Sequence, residues 1–131
     1  MNNSILIVDD DIKLSASLSE DLSEIGYYTH FVTNTKEALE YVETSNVNLI
    51  LLDLKMPDKD GFYLLSKIRQ KNKDIRIIVL TANVDVESAV RAAKFGVDDY
   101  ILKPYDFDKL LIATRRVLHM NRTVSSEMDS I

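Results

Sequence analysis

Short unbroken apolar runs alternate with longer stretches in which apolar residues recur every three or four positions, and the alternation occurs five times. Ile5-Leu6-Ile7-Val8 is β-branched and has no polar alternation, which predicts a strand buried on both faces. Leu14, Leu18, Leu22 and Ile25 then mark the inner face of a helix, with Gly26 as its C-terminal cap. Tyr28 to Val32 is a second, partly polar strand expected nearer a sheet edge. Asn34 followed by Glu37 reads as a capping box opening a short helix through Ala38, Leu39 and Val42. Leu49 to Leu52 is the third strand. A loop with Asp58 and Asp60 as turn formers around Pro57 and Gly61 follows, then a helix through Leu64, Leu65 and Ile68. Ile75 to Leu80 is the fourth strand. Ala89, Val90, Ala92, Ala93 and Phe95 predict the next helical face, stopped by Gly96. Tyr100 to Leu102 is the fifth strand. Asp106 caps a last helix with Phe107, Leu110, Leu111, Ala113, Val117 and Leu118 inward. Residues 121–131 are polar and read as a tail or the start of a linker, which leaves one domain over residues 4–120.

Five strands alternating with five helices imply an α/β fold, a parallel sheet covered by helices on both faces. Right-handed crossovers make a doubly wound sheet the default. In such sheets ligands bind beyond the carboxyl ends of the strands, where the winding reverses. That edge is where candidate chemistry belongs.

Composition narrows the classes. With 46% apolar and 28% charged residues the chain has enough of both for a globular domain, and 131 residues suit a single core. There is no cysteine, so disulfides, thiolate metal sites and Cys nucleophiles are excluded. The net charge of −5 argues against sequence-independent nucleic-acid binding. No apolar run approaches the roughly 20 residues that cross a bilayer, and the first residues lack a basic signal-peptide start. The expectation is a cytoplasmic protein with no membrane or nucleic-acid partner.

The carboxyl edge collects ionisable groups. Asp9-Asp10-Asp11 follow the first strand and Asp53 follows the third; Thr81 ends the fourth, and Lys103-Pro104 follow the fifth. Carboxylates converging there repel by about 4 kcal/mol per pair at ~4 Å and an effective dielectric near 20, so they call for a proton, a cation or a metal. All-oxygen ligands without His or Cys suit Mg²⁺, or Mn²⁺. An ammonium and a hydroxyl opposite a metal–carboxylate site make a clamp for a phosphoryl group. A carboxylate at the centre can attack phosphorus. Asp53, a single acid after a fully buried strand, is the best nucleophile, with Asp9 and Asp10 on the metal side. Asp11 is read as a helix cap.

Ile5 to Asp11, Leu51-Leu-Asp-Leu-Lys-Met-Pro57 with Asp60-Gly61, Leu80-Thr-Ala82 and Asp99-Tyr-Ile-Leu-Lys-Pro104 together resemble the receiver domain of two-component response regulators, over about residues 4 to 120. The resemblance implies a flavodoxin-like sheet of strand order 2-1-3-4-5. It implies that Asp53 accepts a phosphoryl group from a sensor histidine kinase or phosphotransfer protein, with Lys103 on the phosphoryl oxygens. Mg²⁺ would be held by Asp10, Asp53 and the Lys55 backbone carbonyl, and by Asp9 through a water. The Lys103–Pro104 bond would be cis. Thr81 would move toward the phosphoryl group and Tyr100 would turn inward. The surface of helix 4, strand 5 and helix 5 would then change affinity for a partner, an attached output domain or a second copy. Lys55 and Asn83 stand where the family tunes phosphoryl lifetime, and Tyr105 where phenylalanine is frequent. By this reading the chain is a self-modifying regulator, not an enzyme.

Three other functions fit less well. A dehalogenase-like phosphatase needs Asp-x-Asp-x-Thr/Val after its first strand, and Lys13 stands at the last place. A vestigial interaction module would not keep Asp10, Asp53, Thr81 and Lys103. A flavin or nucleotide binder lacks a glycine-rich loop after Val8. His30 and His119 read as structural, and Arg115-Arg116 as a solvated face.

Overall fold

The computed structural model describes residues 3–56, 60–82 and 85–120. Its order is β1 (Ser4–Val8), α1 (Ile12–Ile25), β2 (Tyr28–Val32), α2 (Thr35–Thr44), β3 (Leu49–Leu52), α3 (Gly61–Lys71), β4 (Arg76–Thr81), α4 (Val86–Lys94), β5 (Asp99–Leu102) and α5 (Phe107–His119). The strands form one parallel sheet in the order β2-β1-β3-β4-β5. This is the expected doubly wound architecture, with β2 at an edge. The winding reverses between β1 and β3, so their carboxyl ends frame the crevice.

Period-two alternation divides the apolar residues between two cores. Leu6, Val8, Ile50, Leu52, Ile77 and Val79 face α2, α3 and α4. Ile5, Ile7, Leu49, Leu51, Ile78 and Leu80 face α1 and α5. Burial on both faces explains why β1, β3 and β4 read as continuous apolar runs.

Local signals set the helix ends. Asp11, Asn34, Asp60, Asp85 and Asp106 are N-caps whose carboxylate or amide oxygens accept main-chain N–H bonds. Gly26 closes α1 at φ 122°. Asn34 Oδ1 accepts from Glu37 N at 2.9 Å. The reciprocal half of the expected box differs, because Glu37 Oε1 accepts from the Asn34 side-chain amide instead. Asp60, expected to form a turn, caps α3 by accepting from Tyr63 N at 2.9 Å; Asp58 lies outside the described residues.

Two expected inner faces are narrower than the periodicity suggests. Ile25, at the last turn of α1, is 40% exposed and takes no part in the α1–α5 core. In α4 only Ala92 is buried. Val90 and Ala93 face solvent, because this nine-residue helix overlies the edge strand and reaches the body with one stripe.

Candidate functional site

The hydrogen-bond ladder continues past the strands and fixes the rim. Asp9 N donates to Val32 O at 3.2 Å, Asp53 N to Val8 O at 2.9 Å and Lys103 N to Thr81 O at 2.7 Å. The backbones of these residues are therefore held in register with the sheet, although their side chains lie outside it.

Asp9, Asp10 and Asp53 each bring a carboxylate oxygen within 4.8 Å of the others. Asp9 and Asp53 are buried and Asp10 is exposed. The site thus has two sheltered acids and one facing water. Lys103 Nζ sits opposite, 2.5 Å from Asp9 Oδ2 and 3.4 Å from Asp53 Oδ2. Main-chain donors fix the other oxygens: Asp11 N donates to Asp9 Oδ1 and Lys55 N to Asp53 Oδ1, each at 3.0 Å.

These contacts set the electrostatics. Burial pushes the Asp53 carboxyl above its ordinary value, and Asp9 adds to that. The Lys55 N–H and the Lys103 ammonium pull the other way without cancelling it. Burial alone would lower Lys103, but the hydrogen bond and charge of Asp9, then of Asp53, outweigh it and hold the ammonium above its usual value. Lys103 is therefore a fixed cation. Three clustered acids against one ammonium leave the site negative, and all the donors are oxygen. That chemistry fits a hard divalent cation such as Mg²⁺.

Thr81 ends β4 and is buried. Tyr100 pairs with Val79 across the ladder and packs against the α2–α3–α4 core. By strand alternation Thr81, Val79 and Tyr100 share that face. Burial, then the charge of Asp85, raises the Tyr100 phenol, so the N-cap of α4 lies near this ring. The sequence gives no hint of that neighbour. The Lys103–Pro104 bond is cis.

Three features went unread in the sequence. Leu14, Ala82, Lys103, Pro104 and Tyr105 line a cavity of about 310 Å³ beside the ammonium. The buried Tyr105 hydroxyl is pushed up to about 12 by burial and by Asp9, Asp21 and Asp11. Gly61, beside the site, has no room for a side chain: a Cβ there would meet Leu54 Cα at 2.6 Å. Of the remaining candidates, Arg116 pairs with Asp99 within the chain, and His30 stacks on Tyr41 at 4.2 Å. Asn83 lies outside the described residues.

Comparison with known proteins converges on one family. Residues 5–115 match the model of the response regulator receiver domain. The probable transcriptional regulatory protein SilR of Salmonella typhimurium is 33% identical over 123 residues, covering 94% of this chain and 54% of that protein. The regulatory protein AtoC of Escherichia coli is 35% identical over 118 residues, but those are only 26% of its length. The chain thus spans between about a quarter and a little over half of these curated relatives. Among solved structures, a CheY-like receiver domain from Methanospirillum hungatei superposes with a TM-score of 0.87 at 32% identity, covering 90% of this chain and 94% of that one. The response regulator TrrA of Thermotoga maritima, solved in complex with Mg²⁺–BeF, gives 0.79 at 34% identity, covering 88% and 98%.

Proposed function

Because this chain belongs to the response regulator receiver domain family, we propose that Asp53 is its phosphoacceptor and that phosphorylation there sets the affinity of the α4–β5–α5 surface. A receiver is a phosphorylation-activated switch of two-component signalling, a phosphoacceptor regulator whose chemistry acts on itself. A histidine kinase partner follows from that membership. The observation that carries the assignment is the convergence of Asp9, Asp10 and Asp53 opposite Lys103.

In this reading Asp53 Oδ2, the oxygen facing Lys103, attacks the phosphorus of a phosphohistidine. An O–P bond forms, the P–N bond breaks with its electron pair returning to the ring nitrogen, and a phosphohistidine protonated on its other ring nitrogen departs as neutral imidazole. Lys103 meets the charge on the phosphoryl oxygens, and Lys55 N–H keeps the carboxylate oriented. Asp10, Asp53 and the Lys55 carbonyl would hold Mg²⁺ directly, and Asp9 would act through a water. When bound, the ion neutralises charge on the transferring group. The apolar cavity bounded by Leu14, Pro104 and Tyr105 accommodates the donor's leaving group. Thr81 then turns toward the phosphoryl group and Tyr100 inward beneath it.

The output face carries exposed Val86, Val90, Leu102 and Ile112. A groove of about 540 Å³ runs between β5 and α5. A second copy, or a domain following residues 121–131, binds there once Asp53 is modified. The domain comprises residues 4–120. Its place is the cytoplasm, where the kinase would meet it; among the described residues no helix is long and apolar enough to cross a membrane. Intact-mass measurement tests the assignment. With a small phosphodonor and Mg²⁺ the chain should gain one phosphoryl group, and Asp53→Asn should gain none. Equal uptake by the variant would move the nucleophile elsewhere.

A further inference from the structure

Helix α4 is fastened to the body at its C-terminal end. Ala92 is its one buried residue. Beyond it, Phe95 packs on Phe62 at 6.5 Å between ring centroids, and Arg91 lies 4.1 Å over the Phe62 ring. At the opposite end Val86 is 81% exposed, and no residue from Val86 to Val90 is buried. The N-cap there is internal to the helix, since Asp85 accepts from Ser88 N and Ser88 Oγ at 2.7 and 3.1 Å. That cap travels with the helix if the helix moves.

Arg69 of α3 closes the fastened end. Its Nε donates to Phe95 O at 2.6 Å, Nη2 to Gly96 O at 3.1 Å and Nη1 to Ile75 O at 2.6 Å. Helix ends leave such carbonyls unpaired, and a planar fork of five donors can hold several at once. One side chain therefore ties the end of α4 to the residue preceding β4, the strand that carries Thr81 at its other end. We propose that Arg69 is a positioning residue that makes the C-terminal end of α4 a fulcrum, so that a change at the Asp53 rim swings the N-terminal half of the helix. This rests on the reading of Asp53 as phosphoacceptor. With one end held through the Phe95 and Gly96 carbonyls and the other contributing no buried side chain, displacement concentrates at Val86 to Val90. Those residues belong to the proposed output face.

Hydrogen-exchange mass spectrometry of the whole chain, before and after treatment with a small phosphodonor and Mg²⁺, tests this. In the wild type, exchange should change over Val86 to Val90 and stay constant at the Phe95 and Gly96 amides, which donate to Ala92 and Ala93. Arg69→Gln should exchange about tenfold faster at those two amides and still take up the phosphoryl group. Its phosphorylation-linked change should spread along all of α4. Arg69→Lys should behave like the Gln variant, since one ammonium cannot span three carbonyls. A uniform change along α4 in the wild type, or an unaltered pattern in folded variants, overturns the fulcrum. Should the variants melt out, the wild-type gradient alone decides. If the wild type takes up no phosphoryl group, the functional reading falls and the lever with it; uptake with a uniform profile sinks the lever alone.

Discussion

Lys103 Nζ is closer to Asp9, at 2.5 Å, than to Asp53, at 3.4 Å. The ammonium thus rests mainly on the neighbouring acid, within reach of the proposed nucleophile. Removing it leaves two sheltered carboxylates facing each other. Breaking a fully buried pair costs about 3–5 kcal/mol. The Lys103 side chain is 18% exposed, so solvent screening reduces this to roughly 1–3 kcal/mol. Urea denaturation of Lys103→Met without metal should show that loss, and an unchanged midpoint would mean the pair contributes nothing.

The raised Asp53 carboxyl makes stability depend on pH in a defined direction. Its folded pKa exceeds its unfolded one, so the stability it contributes is fully present below about pH 4 and is lost as pH rises through the folded value. Asp53→Asn should therefore melt higher than wild type at pH 7 in chelator, with the gain shrinking as pH falls toward 4. A gain that grows on acidification would reverse the sign of the account.

Divalent metal should relieve the same crowding. At ten times its dissociation constant Mg²⁺ should stabilise the chain by about 1.4 kcal/mol, which is roughly 5 °C in melting temperature for a domain of this size. Asp10→Asn, at the exposed acid of the triad, should reduce that shift several-fold. Calorimetry with and without Mg²⁺ checks both, and an equal shift in the variant would remove Asp10 from the metal site.

Gly61 is demanded by space. A Cβ at this position would sit 2.6 Å from Leu54 Cα, a backbone atom that cannot swing away. Gly61→Ala should cost about 1–3 kcal/mol and slow phosphoryl uptake, because Leu54 adjoins Asp53. Chemical denaturation and uptake rates read both effects. A neutral substitution would show that the segment after β3 yields freely.

The sheet was legible because β1, β3 and β4 are buried on both faces and so are apolar throughout. The rim was legible because parallel strands deliver Asp9, Asp10, Asp53, Thr81 and Lys103 to one edge. Which acid the ammonium touches was not, since Asp9 and Lys103 are 94 residues apart and edge position fixes no distance between side-chain tips. Sequence alone does not separate a turn-forming Asp60 from a capping one, because caps and turns favour the same residue types. Val90 and Ala93 fit the helical period of α4, but a helix over an edge strand buries only one stripe of it. Arg69 carries no sequence signal, because its acceptors are carbonyl oxygens that any helix end presents.

The most direct test locates the modified residue chemically. Treatment with a small phosphodonor and Mg²⁺, then borohydride, reduces an acyl phosphate to the alcohol, and peptide mass spectrometry places it. Homoserine should appear at position 53, dependent on Mg²⁺; homoserine at position 9 or 10, or none in any peptide under conditions where a known receiver is labelled, would rule out Asp53 as the phosphoacceptor.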